Sequence, residues 1–390
     1  MAQPTSSRLL SLDVLRGITI AGMITVNNPG SWSHIYAPLK HAAWNGLTPT
    51  DLVFPFFMFI MGVSMYLSYK KFDFKFSKQT FFKLLRRSVL LFLIGLGLNY
   101  FGLICRGFAS LREADMGFGD KLLQVFIYNL ENLRILGVLQ RLALVSFFGS
   151  LTILLVRPKR IPWLIGGILI VYWVLMVASN SLELTTANWI AVVDNAILGT
   201  SHMYKMGGIA FDPEGLLSTF PCIAHVLLGV TAGRIIDSDK DNGIRIQRLF
   251  IFGTIILFIG YLIDYSFPIN KSLWSSSYVL VTCGLASLLL SLLIWIIDIN
   301  GKRKWCVFFE SFGINPMAIF VLAGIISNLL GNIGFTYAGT YMSIKGFIYN
   351  VCLVPPFGEI FGSLVFAILF IVLCWSIAHV LYKKKIYIKI

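Results

Sequence analysis

The stretch KHAAWNGLTPTDLVFPFFMFIMG, residues 40–62, decides how this chain is read. His41, Trp44 and Asn45 stand close together at its start. Thr48, Pro49 and Asp51 then form a helix-start signal, because hydroxyl and carboxylate side chains cap free backbone N–H groups and proline suits a first turn. From Leu52 to about Tyr69 nearly every residue is apolar, long enough to cross a hydrocarbon core of ~30 Å. The sequence therefore holds an imidazole at the mouth of a membrane helix, with a carboxylate ten residues further on.

The rest of the chain has the same character. Of 390 residues 57% are hydrophobic and 13% charged, and the mean hydropathy is +0.79. Apolar runs recur at about 9–29, 51–70, 82–104, 135–156, 162–180, 214–236, 246–267, 276–298, 307–330 and 358–382. The expected fold is an all-α polytopic transmembrane bundle of ten spans, or eleven if the 105–134 region holds another. Residues 1–390 read as a single domain, without tandem repeat or low-complexity tract.

The net charge of +14 could suggest nucleic acid, but no binding motif for it is present. Lysines and arginines instead cluster between apolar runs, the pattern that sets membrane topology. With the N-terminus inside, 23 of the 32 basic residues fall on the cytoplasmic side and eight on the outer side, which predicts both termini cytoplasmic. The six cysteines are scattered, without CxxC spacing, and read as small buried hydrophobes. No H-x-x-x-H, HExxH or EF-hand spacing occurs, so no metal is expected. The N-terminus lacks a signal-peptide cleavage pattern.

Two outer stretches are more than loops. Residues 119–134 place Leu122, Leu123, Phe126, Ile127 and Leu130 on one helical face, an interfacial amphipathic helix. Residues 187–215 form the longest outer connection and are suited to cover the mouth of the bundle.

Charges within spans cost roughly 2.5–3.5 kcal/mol each on insertion scales, so each needs a partner or a task. Asp13 and Arg16, three apart, can pair on one helical face. Arg141 enters the fourth span from outside and wants a carboxylate or phosphate. The topology puts Asn27, His41, Asn45, Asp51, Arg141 and Glu214 at one outer depth, with Lys271, Trp274 and Ser277. Arg86, Arg87 and Arg234 lie at the inner mouth, where lipid headgroups explain them about as well as a ligand. His225 and His379 read as hydrogen-bonded packing residues, and His34 and His202 as loop residues with no obvious partner.

In this setting SLDVLRGITIAGMITVNNPG (11–30), the 40–62 stretch, GVLQRLAL (137–144), DPEGLLSTFPCIAHVLLGVTAG (212–233), NKSLWSSSYVLVTCGLA (270–286) and ESFGINPMAIFV (310–321) resemble the heparan-α-glucosaminide N-acetyltransferase family. They follow the family's order across nearly the entire chain. The sequence shows no counterpart of the extra N-terminal lumenal region of the animal lysosomal enzyme, so the expectation is a compact bacterial form in the inner membrane. The resemblance implies transfer of acetyl from acetyl-CoA, without a metal, to the amino group of a terminal glucosamine. It also implies that His41, in the K-H-A-x-W-N-G motif, is the catalytic residue, with Asn27 and Asp51 at two further motif positions.

The chemistry fits these residues. An amine must lose a proton before attacking a thioester, and a histidine is the natural base at neutral pH. The imidazole could instead take the acetyl group first, though direct attack needs fewer assumptions. Asp51 would orient it, and Asn27 or Asn45 would donate to the thioester oxyanion. Candidate phosphate partners for acetyl-CoA are Arg16, Arg86, Arg87, Arg234 and Arg141. Candidate acceptor contacts are Trp44, Glu214, Lys271 and Trp274. Expected partners are acetyl-CoA, an amino-sugar or glycan acceptor, membrane lipids and a second copy in a homodimer, not nucleic acid. Three other readings compete: an interfacial cap formed by His41 and Asp51, an amino-sugar carrier, and an acyltransferase for another envelope glycan.

Overall fold

A computed structural model describes residues 9–388. Arg8 and Lys389, both counted toward the inner side, lie outside the described residues. The chain runs through α1 (Leu10–Val26), α2 (Pro49–Lys70), α3 (Lys78–Ser110), α4 (Phe118–Phe126), α5 (Val138–Leu155), α6 (Ile161–Ala178) and α7 (Trp189–Leu198). A short hairpin follows, β1 (Lys205–Met206) with β2 (Ile209–Ala210), and then α8 (Leu216–Asp237), α9 (Asn242–Asp264), α10 (Ser276–Leu293), α11 (Cys306–Ile314) and α12 (Pro316–Asn332). A second antiparallel hairpin, β3 (Gly334–Tyr337) with β4 (Thr340–Ser343), pairs Gly334 with Ser343 and precedes α13 (Ile344–Phe347), α14 (Val354–Phe357) and α15 (Glu359–Lys383).

Among the described residues eight helices are long and apolar enough to cross a membrane, nine if α11 and α12 count as one span. This is a helical membrane protein. The helix of the first apolar run, α1, has 17 residues, about 26 Å at 1.5 Å per residue. The ninth expected span is not a straight helix: α11 and α12 meet at 88°. The break falls at Asn315, whose φ of −122° and ψ of 54° leave the helical region. The cause is local, because the proline ring at 316 crowds the preceding residue out of the α conformation. The expected amphipathic helix at 119–134 is also shorter than the sequence suggests. It stops at Phe126, and a 3₁₀ turn over Tyr128–Asn132 follows.

The most buried helices are α8 and α10, with α2 packed along α8. Their closest approach is at Gly62 and Gly229: a Cβ at Gly62 would strike the carbonyl of Val226, and one at Gly229 the carbonyl of Phe59. Only residues without a side chain let the two backbones meet. The outward faces of α9 and α15 are apolar and exposed, through Ile251, Ile255, Phe258 and Leu262 on the first and Ile368, Leu369, Val372 and Leu373 on the second. Such faces belong in lipid rather than water.

A second, smaller core sits beside the main one. Tyr172, Met176, Ile190, Ala191, Phe211, Phe267 and Leu273 are buried together, with Trp44 packed against them. This core joins α6, α7, the first hairpin and the α9–α10 connection to the loop that carries His41.

Candidate active site

The site begins with the capping chemistry of α2. Asp51 is the third helical residue, and its Oδ2 accepts hydrogen bonds from the Thr48 backbone N–H at 3.1 Å and from the Ala42 N–H at 3.0 Å. The first contact caps the helix and the second ties down the loop before it. The other carboxylate oxygen, Oδ1, lies 2.6 Å from His41 Nδ1. A carboxylate only accepts, so Nδ1 carries the proton and Nε2 is left with the free lone pair. The Asp51 side chain is 1% exposed whereas that of His41 is 45% exposed. A buried acid thus holds an open imidazole.

Proline shapes the same turn from the other side. Pro55 lies inside α2 and has no N–H to give the Asp51 carbonyl, its normal partner four residues back. The Tyr278 hydroxyl of α10 fills that place, donating to Asp51 O at 2.6 Å. Buried His225 of α8 puts Nε2 2.8 Å from the Pro55 carbonyl oxygen. A proline four residues after a carboxylate marks an orphan carbonyl in the sequence, but nothing local identifies Tyr278, 227 positions away, as the donor.

The α9–α10 connection closes over the dyad. Lys271 Nζ stands 3.1 Å from His41 Nδ1 and 3.5 Å from Asp51 Oδ1. Its neighbour Asn270 gives an amide hydrogen to Asn45 Oδ1 at 3.0 Å, and Gly46 N–H donates to Ile269 O at 2.8 Å. Trp274 adopts a left-handed φ of 53° and is buried between Phe54, His225 and Tyr278. Burial pushes the Lys271 ammonium below the ordinary lysine range, against the pull of the Asp51 and Glu214 carboxylates.

A second polar cluster flanks the first. Arg134 grips Asp212 through two nitrogens, at 2.9 and 2.6 Å, and Glu214 at 2.6 Å. Burial alone would raise the Glu214 carboxyl; the Arg134 guanidinium holds it below its usual range. Arg141 is fully buried, donating to the Gly215 carbonyl and the Ser218 hydroxyl, with its guanidinium 5.2 Å from the Trp274 ring. Its Nε and Nη1 have no hydrogen-bond partner among the described residues, and neither has Trp274 Nε1.

Residues 8–266, which carry His41, Asp51, Asn45, Arg141 and Glu214, match the family described as "Heparan-alpha-glucosaminide N-acetyltransferase, catalytic". The chain belongs to the heparan-alpha-glucosaminide N-acetyltransferase family. It is 29% identical to the human heparan-alpha-glucosaminide N-acetyltransferase over 378 residues, covering 82% of this chain and 53% of that protein. To the mouse protein of the same name it is 27% identical over an alignment of 443 residues, covering 99% of this chain and 61% of the relative. The chain spans between half and about three fifths of the length of these curated relatives.

In this family member the structure gathers His41, Asp51 and Lys271 into direct contact and brings Asn45 and Trp274 next to them through the α9–α10 connection. Trp44 donates its indole N–H to the Leu182 carbonyl at 2.8 Å and packs edge-on against Phe211. Asn27 is exposed at the end of α1, and among the described residues no hydrogen bond joins it to the dyad. Arg16 bonds to Asp13, the Gly313 carbonyl and the Ser64 hydroxyl, linking α1, α11 and α2. Arg86 and Arg87 are exposed on α3. Arg234 is exposed on α8 and lines a shallow depression with Tyr66, Phe74, Pro158 and Ile161.

Two histidines that sequence leaves without partners have them. His34 Nε2 is 3.0 Å from Glu359 Oε2, and His202 Nδ1 is 2.8 Å from the Leu133 carbonyl oxygen.

Proposed function

We propose that this chain is a membrane-embedded acetyltransferase that moves acetyl from acetyl-CoA to the amino group of a glucosamine-type sugar at the outer side of the membrane. Family membership supports the reaction class, and the His41 Nδ1–Asp51 Oδ1 contact of 2.6 Å at an open imidazole carries the assignment of the base.

The steps follow from the free Nε2. The acceptor amine loses a proton to His41 Nε2 as its nitrogen attacks the thioester carbonyl. Asp51 holds the ring and balances the imidazolium that forms, as the carboxylate of a triad does. The Asn45 amide oxygen is taken by Asn270, which leaves its NH₂ group to donate to the oxyanion. As the C–N bond forms and the C–S bond breaks, the imidazolium returns its proton to the departing CoA thiolate. Sugar amide, free thiol and neutral histidine result.

In this reading the chain has ten spans with both termini cytoplasmic and lies in a bacterial inner membrane. Acetyl-CoA reaches the thioester position from the inner mouth, and Arg234 is the arginine best placed to meet its phosphates, since Arg16 is committed to Asp13, Ser64 and Gly313. The test is product analysis. Purified protein given acetyl-CoA and glucosamine should yield N-acetylglucosamine and stoichiometric free CoA by mass spectrometry. Sugar returned unchanged with acetyl-CoA intact, across amino-sugar monomers and oligomers, would reject the acetyltransferase.

A further inference from the structure

His41, Asp51 and Lys271 form a triangle of three charged or polar heads drawn from positions 41, 51 and 271. At 2.6 Å the imidazole and the carboxylate need a proton between them, so His41 Nδ1 donates to Asp51. Lys271, 3.1 Å from that same nitrogen, cannot also donate to it; both nitrogens bear hydrogen. Its attraction is to Asp51 Oδ1 at 3.5 Å, and its closeness to the ring is purely electrostatic.

The lysine is also held in place with unusual care. Asn270 Oδ1 accepts from Leu273 N–H at 2.8 Å, and Asn270 N–H donates to Ser275 Oγ at 3.0 Å. The Tyr172 hydroxyl donates to Leu273 O at 2.6 Å, and Trp274 is locked by aromatic neighbours on three sides. A flexible contact for a sugar would not need so rigid a base.

We infer that Lys271 is a positioning residue of the dyad: its ammonium pins the Asp51 carboxylate, which fixes the His41 tautomer, and, lying against the imidazole edge, opposes positive charge on the ring. This rests on the reading of His41 as the base. Protonation at Nε2 spreads a positive charge over a ring whose Nδ1 is 3.1 Å from the ammonium, so Lys271 opposes the imidazolium that Asp51 favours. The same repulsion hastens return of the proton to the leaving thiolate. The other charges around the ring are accounted for. Glu214, at the entry to α8, acts on Lys271 but is gripped by Arg134; Arg141 lies behind Trp274; Lys40 precedes His41 and is exposed.

The test compares wild type with Lys271→Met and Lys271→Arg, each shown folded by its melting transition. Two quantities are read against pH: carbethoxylation of His41 by diethyl pyrocarbonate, followed by mass spectrometry of its peptide, and kcat/KM for glucosamine. The first needs no substrate, so it stands even if the proposed reaction does not. Lys271→Met should move the midpoint of His41 modification and the acid limb of the rate profile upward together by about one pH unit. KM for glucosamine should change by less than about threefold, and Lys271→Arg should restore both curves. An unmoved modification midpoint overturns the inference, whatever the rates do. A KM increase of about tenfold or more at an unmoved midpoint would instead make Lys271 a sugar ligand. Wild type without acetyl transfer but with the expected midpoint shift would reject the proposed reaction and keep the role of Lys271 in the dyad.

Discussion

His41 Nδ1 stands 2.6 Å from Asp51 Oδ1, an open loop imidazole fastened to a carboxylate buried in the first turn of a membrane helix. The same carboxylate caps the helix through Thr48 N–H and braces the loop through Ala42 N–H. Orientation of the imidazole and the start of α2 therefore depend on one side chain.

Asp51→Asn separates these duties. The amide oxygen can still accept from Thr48 and Ala42, so the loss of stability should stay near 1 kcal/mol. The amide cannot balance an imidazolium, and kcat should fall by about 10²–10⁴-fold. Steady-state kinetics and a melting curve on the same preparation check both halves.

Much of this site is legible in the sequence, and the rest is hidden for definable reasons. The Thr48–Asp51 spacing and the apolar run after it announce the helix mouth, and His41 is local enough to be read with them. Topology puts Lys271 at the depth of His41, but its direct contact with the imidazole, 230 positions away in the chain, follows from no periodicity. The partners of Arg134 are likewise invisible because Asp212 and Glu214 come from a distant connection. The bend between α11 and α12 was readable in principle from Asn315–Pro316, but hydropathy averages over a single proline.

Arg134 anchors the second polar cluster through a bidentate contact with Asp212 and a third bond to Glu214. Arg134→Met would leave two largely buried carboxylates unpaired. A loss of roughly 3–5 kcal/mol is expected, read as a marked fall in melting temperature. Arg134→Lys, which keeps the charge but not the fork, should recover only part of it.

Asp194, buried on α7, gives the fold a pH dependence. Burial raises its carboxyl from 3.8 to about 6, although it accepts from the N–H groups of Leu216 and Leu217. A folded value above the unfolded one means that this group's stabilisation is full below about 3.8 and lost as pH rises through about 6. Across that window the loss is roughly 3 kcal/mol. Wild type should melt at a lower temperature at about pH 7.5 than at about pH 5. Asp194→Asn keeps an oxygen for Leu216 and should narrow that difference.

The α2–α8 crossing is equally testable. Gly62→Ala puts a methyl group into the Val226 carbonyl, with backbone rather than a flexible side chain in the way. About 3 kcal/mol should be lost, and thermal unfolding measures it directly.

The measurement closest to the central claim is glucosamine-dependent release of CoA from acetyl-CoA by the reconstituted protein, wild type against His41→Ala. The account predicts release by wild type, with N-acetylglucosamine formed, and loss of at least about 10²-fold in a variant that melts normally. Release that survives intact in His41→Ala would contradict it, and the base would have to be sought elsewhere in the bundle.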